Sequence, residues 1–330
     1  VSIDKYSQFP VSINDIRQAA KRLDPVVVHT PMLESPYLNA IAGRRVLVKA
    51  EVLQRTGSFK FRGAWSAISA LDPEVRARGV IAYSSGNHAQ GIAHAAALHG
   101  IPSTVVMPED SPAMKLANTR TLGATVITYD RAGGESREDV GQALALKNGL
   151  TLIRPYDEPM VIAGQGTCGL EIACQADTLG VDHADVLICC GGGGLSAGVA
   201  IALHADAANL RVRPVEPDNA DDTCRSLIAG RRLANVGNPD SFCDAIVTPM
   251  PGELTFPVLQ QLAGPGLSVS DADVLSAMKQ AMLRLKLVVE PGGAVALAAA
   301  LKPENTQGDA VICIVTGGNV DEQLLVRAMS

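Results

Sequence analysis

One lysine in this chain stands where helix geometry disfavours it. In Thr56-Gly57-Ser58-Phe59-Lys60-Phe61-Arg62-Gly63 the lysine opens an expected helix. Helix N-termini carry partial positive charge, so an ammonium there is unfavourable. The cost disappears if the Lys60 nitrogen is joined to an aldehyde as an imine, the Schiff-base linkage that lysine forms with pyridoxal phosphate. A solvated surface lysine is the ordinary alternative, and the apolar residues around Lys60 argue against it.

Four further runs carry chemical potential, each following an apolar stretch. Ser84-Ser85-Gly86-Asn87-His88-Ala89-Gln90-Gly91 follows GVIAY. Hydroxyls and N–H groups at a helix N-terminus suit a carboxylate. A plain cap at Ser85 or Asn87 explains one such residue, not four polar ones in a row. Gly191-Gly192-Gly193-Gly194-Leu195-Ser196-Ala197-Gly198 follows DVLICC. Consecutive glycines let N–H groups close on phosphate oxygens, and the next helix adds its dipole. The run is not GxGxxG, because Ser196 takes the third glycine's place, and no Gly-Lys-Ser/Thr makes it a Walker A loop. A tight turn is the alternative. Thr316-Gly317-Gly318-Asn319 ends DAVICIV, and its hydroxyl can exchange a hydrogen bond with a ring nitrogen or simply end the strand. Glu216-Pro217-Asp218-Asn219-Ala220-Asp221-Asp222 ends RVRPVE. Hard divalent cations favour such carboxylate and carbonyl oxygens, although acidic clusters commonly just start a helix.

These runs need a scaffold. From about residue 44, short β-branched stretches alternate with helical patterns. RRVLVKAE, GVIAYS, STVVMP, ATVITYD, TLIRP, DVLICC, RVRPVE, DAIVTP and DAVICIV read as strands. FKFRGAWSAISAL, His88 to Leu98, AMKLANTRTL and EDVGQALALKN read as helices. The alternation predicts βαβ units and parallel sheet, and the continuous apolar runs predict strands covered on both faces. Nine or so strands are many for one sheet, and 330 residues suit two domains.

Composition narrows the class of function. With 47% hydrophobic and 19% charged residues the chain can bury a large core. Its net charge of -6 and lack of a basic stripe exclude a nucleic-acid binder, so the expected partner is a small molecule. The seven cysteines are odd in number and lack zinc-site spacing, as expected of free thiols in a reducing compartment. No basic-then-apolar leader opens the chain, and no apolar run reaches the ~18–20 residues of a membrane span, so a cytoplasmic location is expected.

Together and in this order, the motifs resemble those of the fold-type II pyridoxal-phosphate enzymes. The branch is that of threonine and serine dehydratases, serine racemases and 3-hydroxyaspartate dehydratases, and the likeness runs from HTPMLES to TGGNVD. It implies an α/β fold like the tryptophan synthase β subunit, with two open, twisted, mainly parallel sheets covered by helices. It implies a large cofactor-binding domain from residues 1–77 and 156–330 and a small inserted domain from residues 78–155. Lys60 resembles the Schiff-base lysine and base on one cofactor face, and Ser85 the acid/base on the other. Phe59 would pack on the ring, Asn87 bond the ring hydroxyl and Thr316 meet the pyridine nitrogen. Gly191, Gly192, Gly193, Gly194 and Leu195 would surround the phosphate. Ser84, Ser85, Gly86, Asn87 and His88 would meet the substrate, and Arg137 matches an arginine that reaches the active site in racemase and hydroxyaspartate members. Glu216, Ala220 (through its carbonyl) and Asp222 match a divalent-cation site for Mg²⁺, or else Mn²⁺ or Ca²⁺. A homodimer is implied as well. The chain stops soon after TGGNVD, so the regulatory domain of biosynthetic threonine dehydratases and its isoleucine feedback are not expected. Thr248 to Glu253 stands where relatives often carry serines near the substrate.

The expected activity is therefore β-elimination of water from a small β-hydroxy amino acid, giving a 2-oxo acid and ammonia. Arg137 could pair with a second carboxylate, which places 3-hydroxyaspartate or serine ahead of threonine. Ser85 and the cofactor phosphate both stand open as the acid for the departing hydroxyl. An amino-acid racemase would use the same Lys60 and Ser85. A non-catalytic amino-acid binder is the reading from a different class, and a nicotinamide dehydrogenase is disfavoured by the missing GxGxxG.

Overall fold

The computed structural model describes residues 9–330 apart from Ser85, Pro112 and Asn238, with Met114 described by its backbone alone. Among the described residues ten strands form two sheets. In chain order they are β1 (Met32–Glu34), β2 (Arg45–Ala50), β3 (Val80–Tyr83), β4 (Ser103–Pro108), β5 (Thr125–Tyr129), β6 (Thr151–Leu152), β7 (Ala184–Cys189), β8 (Leu210–Pro217), β9 (Leu267–Val269) and β10 (Ala310–Val315). One sheet runs β1-β2-β10-β7-β8-β9 and the other β5-β4-β3-β6. All pairings are parallel except β1 with β2, as the βαβ alternation requires.

The central strands show why their sequences are apolar without alternation. All six residues of β10 are buried. Val311, Cys313 and Val315 point to one face and meet the helix Pro291–Ala300; Ala310, Ile312 and Ile314 point to the other and meet Cys168, Ile172, Val199 and Leu203. A period of two with both faces covered gives a continuous apolar run. Each buried valine or isoleucine among them stabilises the fold by about 1.5–3 kcal/mol relative to exposure. The six buried cysteines behave as small apolar residues of this kind, whereas Cys174 is exposed; all seven thiols are free.

Two strand expectations need correction. DAIVTP forms turns, not a strand. It folds over the first glycine of the four-glycine run, with the Ile246 carbonyl 2.8 Å from where a Gly191 Cβ would stand, and β9 takes the sheet edge beside β8. TLIRP is strand only at Thr151–Leu152, because the chain then turns inward to bring Pro155 to Lys60. β1 and β9 have three residues each, too few for a periodic signal.

The runs singled out by chemistry sit at the carboxyl ends of β3, β7, β8 and β10, where parallel sheets bind ligands. Among the described residues, no helix is long and apolar enough to cross a membrane.

Candidate active site

Lys60 is the first residue of the helix Lys60–Ser69, with Phe59 as N-cap. The turn before it is stapled to the turn after β10. Phe59 N–H donates to the Thr316 carbonyl (3.0 Å), Gly318 N–H donates to the Gly57 carbonyl (2.9 Å), and Ser58 bridges Gly317. Thr56 adopts φ 60°, uncommon for a non-glycine residue, and its carbonyl accepts from Asn319 Nδ2 at 2.8 Å. Two motifs more than two hundred residues apart thus make one surface. Lys60 Nζ donates to the Pro155 carbonyl at 2.9 Å. Burial pushes its pKa down to about 8, against the opposing pull of Cys189 and Glu290.

Opposite the lysine, the helix Gly194–Asp206 begins at Gly193, which has φ 85° and offers no side-chain cap. Its first N–H groups need acceptors from elsewhere. Side chains have no room here: a Cβ on Gly192 would fall 2.2 Å from the Tyr156 ring. A backbone-only turn with a helix N-terminus behind it fits a phosphate.

Phe59, Lys60, Ser84, Gly86, Asn87, His88, Arg137, Gly191, Gly192, Gly193, Gly194, Leu195 and Thr316 line a single cavity of about 400 Å³. Ser85 lies outside the described residues. Gly86, not Ser85 or Asn87, is the N-cap of the helix Asn87–His99, and Ser84 Oγ accepts the Gly86 N–H at 3.2 Å. His88 Nε2 lies 3.1 Å from the Ile153 carbonyl. Burial and the nearby Lys60 lower its pKa to about 3, so the imidazole is neutral and Nε2 must donate, leaving Nδ1 a buried acceptor without a partner. Arg137 opens the helix Arg137–Asn148, donates from Nε to Glu138 (2.8 Å) and lies 5.7 Å over the Tyr83 ring. Thr316 Oγ1 is 3.1 Å from Cys189 Sγ.

Glu216, Ala220 and Asp222 are buried together at the end of β8, apart from this cavity. Glu216 accepts the N–H groups of Thr223 (2.9 Å) and Cys224 (2.7 Å). Asn235 Nδ2 donates to Asp222 Oδ1 at 2.7 Å, while Oδ2 is buried without a partner. Burial and then Asp222 raise Glu216 to about 7; burial raises Asp222 to about 6. Among the described residues no three His, Cys, Asp or Glu side chains cluster as metal ligands. The donor set here is two carboxylates and a turn, which suits a hard cation.

The cavity also contains residues that the motifs did not single out, notably Tyr156, Cys189, Glu290 and Asn319. Cys189 and Asn319 lay inside quoted runs. Glu290 reads in sequence only as a residue before Pro291 at a helix start; it meets Asn87 across 203 positions.

A buried lysine in one cavity with a backbone-only glycine turn, at the carboxyl ends of strands in two mainly parallel sheets, suits an enzyme built around a phosphorylated aldehyde cofactor. The family model described as pyridoxal-phosphate dependent enzyme matches residues 23–317, and the chain belongs to that family. An L-threo-3-hydroxyaspartate ammonia-lyase from Pseudomonas sp is 44% identical over 311 residues, covering 94% of this chain and 96% of that protein. The crystal structure of the T.th. threonine deaminase matches with a TM-score of 0.88 at 45% identity, covering 94% of this chain and 99% of that one. The structure of maize serine racemase matches with a TM-score of 0.90 at 37% identity, covering 97% of each chain.

Proposed function

We propose that the chain is a lyase that eliminates water from a small β-hydroxy amino acid, 3-hydroxyaspartate or serine ahead of threonine, and releases a 2-oxo acid and ammonia. The observation that carries this reading is Lys60 Nζ, lowered to about 8, in one cavity with the four-glycine turn and the Arg137 guanidinium. Phe59, Lys60, Asn87, Gly191, Gly192, Gly193, Gly194, Leu195 and Thr316 would hold pyridoxal phosphate, which supplies an aldehyde for amines and a conjugated ring that spreads the charge of a deprotonated carbon. With its pKa near working pH, Lys60 is the base for the α-proton. The backbone N–H groups at the start of the helix Asn87–His99 hold the α-carboxylate. Thr316, tied to Cys189, gives the ring nitrogen a neutral partner. Arg137 meets a β-carboxylate through a charge-assisted bond, which favours the diacid named in the 44% identical relative. Ser85 or the cofactor phosphate would be the acid for the departing hydroxyl. Glu216, Asp222 and the Ala220 carbonyl hold a divalent cation, supported by the unpartnered Asp222 oxygen. A homodimer, a cytoplasmic location and the inserted small domain at residues 78–155 complete the proposal.

Borohydride reduction of the cofactor-loaded protein followed by peptide mapping tests the lysine: the cofactor becomes fixed to Lys60, and a label elsewhere overturns the reading. Lys60→Ala abolishes turnover in a panel of serine, threonine and hydroxyaspartate enantiomers read by 2-oxo acid release. Arg137→Ala lowers hydroxyaspartate turnover about a hundredfold and threonine turnover less than about threefold. Equal losses rule out the diacid preference. The likeness to maize serine racemase favours one second reading, racemisation by Lys60 and Ser85. Assaying L-serine for D-serine beside pyruvate separates the two.

A further inference from the structure

Glu290 is a carboxyl, 7% exposed, in a cavity meant for an anionic cofactor, and the chemistry above gives it no task. Its Oε1 accepts from Asn87 Nδ2 at 2.6 Å. Asn87 Oδ1 in turn accepts from Asn319 Nδ2 at 2.7 Å, and the same nitrogen donates to the Thr56 carbonyl at 2.8 Å. We propose that Glu290 is a positioning residue which, with Asn319, locks the Asn87 amide so that Asn87 presents an N–H to the ring oxygen of the cofactor. The inference rests on the assignment of pyridoxal phosphate to this cavity.

The direction of the relay is fixed by its ends. The Thr56 carbonyl can only accept, so Asn319 must turn its nitrogen toward it and toward Asn87. Asn319 then offers Asn87 a donor, and Asn87 must answer with its oxygen. That leaves the Asn87 nitrogen facing Glu290, whose Oε1 accepts from it. Two amides are pinned between the Thr56 carbonyl, which can only accept, and the accepting Glu290 oxygen. Asn87 keeps one N–H for the cavity, and an N–H favours an oxygen that carries charge.

The surrounding turn is shaped for this relay. A Cβ on Gly317 would stand 2.0 Å from Glu290 Oε1 and 3.0 Å from Asn87 Nδ2, so only glycine leaves the carboxylate its place. Glu290 N–H donates to the Gly317 carbonyl at 3.0 Å, which fixes the backbone that carries the carboxylate. Thr-Gly-Gly-Asn therefore gives its threonine to Cys189, its first glycine to Glu290 and its asparagine to Asn87. A glutamine side chain has the same acceptor oxygen, so the role requires an acceptor and not a charge.

The test compares Glu290→Gln, Glu290→Ala, Asn319→Ala and Asn87→Ala after loading with pyridoxal phosphate. The readouts are the absorption spectrum of the bound cofactor across pH and the cofactor dissociation constant. In E290A the long-wavelength band moves toward the near ultraviolet and the dissociation constant rises about tenfold, the effect of one lost hydrogen bond. E290Q keeps the wild-type band and binds within about threefold. N319A reproduces the E290A spectrum and carries the test from the other end of the relay if E290A does not fold. A wild-type spectrum in both E290A and N319A overturns the inference, as does an E290Q protein damaged as badly as E290A. Failure of the broader reading looks different: the unaltered protein then acquires no cofactor band, or N87A leaves the band unchanged.

Discussion

Two buried charge clusters in this molecule are closed in opposite ways. Behind the helix that carries Lys60, Arg62 donates to Glu51 from Nε (2.8 Å) and Nη2 (2.7 Å), and from Nη1 to Glu171 (2.7 Å). Lys49 Nζ reaches Glu171, Gln175 (3.0 Å) and the Thr30 carbonyl (2.6 Å). Burial opposes the charge on Glu51, yet Arg62, Lys49 and the Thr30 hydroxyl hold its carboxyl below the usual range. At the end of β8 the balance is missing. Glu216 and Asp222 are both raised, and Arg225 of the same helix is paired with Asp221 at 2.6 Å. The first set is balanced from within; the second, short of positive charge, is where the proposed cation would sit. The largest effect that could break this contrast comes from Arg62→Met. It strands Glu51 without its ion-pair partner, costs about 3–5 kcal/mol and lowers the melting temperature by about 10 °C, with no rescue by Mg²⁺. A melt within about 2 °C of wild type would mean that the cluster does not hold the Lys60 helix in place.

The second effect is smaller and reversible. EDTA lowers the melting temperature by about 3–6 °C, and Mg²⁺ restores it, because a cation bound only by the folded chain stabilises that state. Asp222→Asn sharpens the contrast. With one carboxylate neutral, the chelated variant melts at or above the chelated wild type and no longer responds to Mg²⁺. An undiminished Mg²⁺ response in D222N places the cation elsewhere.

What was legible in the sequence was whatever a few adjacent residues can do with their backbones. The Lys60 turn, the four-glycine turn and Thr-Gly-Gly-Asn each perform a local task, so residue types in a row betray them. The alternation of buried strands and helices was legible for the same reason. Glu290 was not: its meaning lies in a hydrogen bond to Asn87 across 203 positions. Tyr156 was not either, since its ring explains the glycines only once it is laid against Gly192. DAIVTP misled because its apolar, β-branched residues serve to cover the four-glycine turn and line the cavity, not to extend a sheet.

The smallest expected effect is one of sign, and it separates the two clusters by pH alone. A carboxyl raised by folding binds a proton in the folded chain where the unfolded chain has lost it. Its folded state therefore gains stability as pH falls through that window. For Glu216 the window lies between 7 and 4.5, and for Asp222 between 6 and 3.8. Glu51 has the opposite shift, so its contribution is present above 4.5 and is lost as pH falls below. Glu290, also raised to about 7, has the sign of the first pair and is present in every protein compared. Subtracting the melting curve of D222N from that of wild type, both in EDTA, removes it. The difference should move by about 1–3 °C in favour of wild type between pH 8 and pH 5.5. Mg²⁺ should reverse that trend, because it stabilises wild type most where both carboxylates are charged. A difference that stays flat in EDTA, or that Mg²⁺ leaves unchanged, would show that Asp222 is satisfied by the protein itself and belongs with Arg62 as architecture.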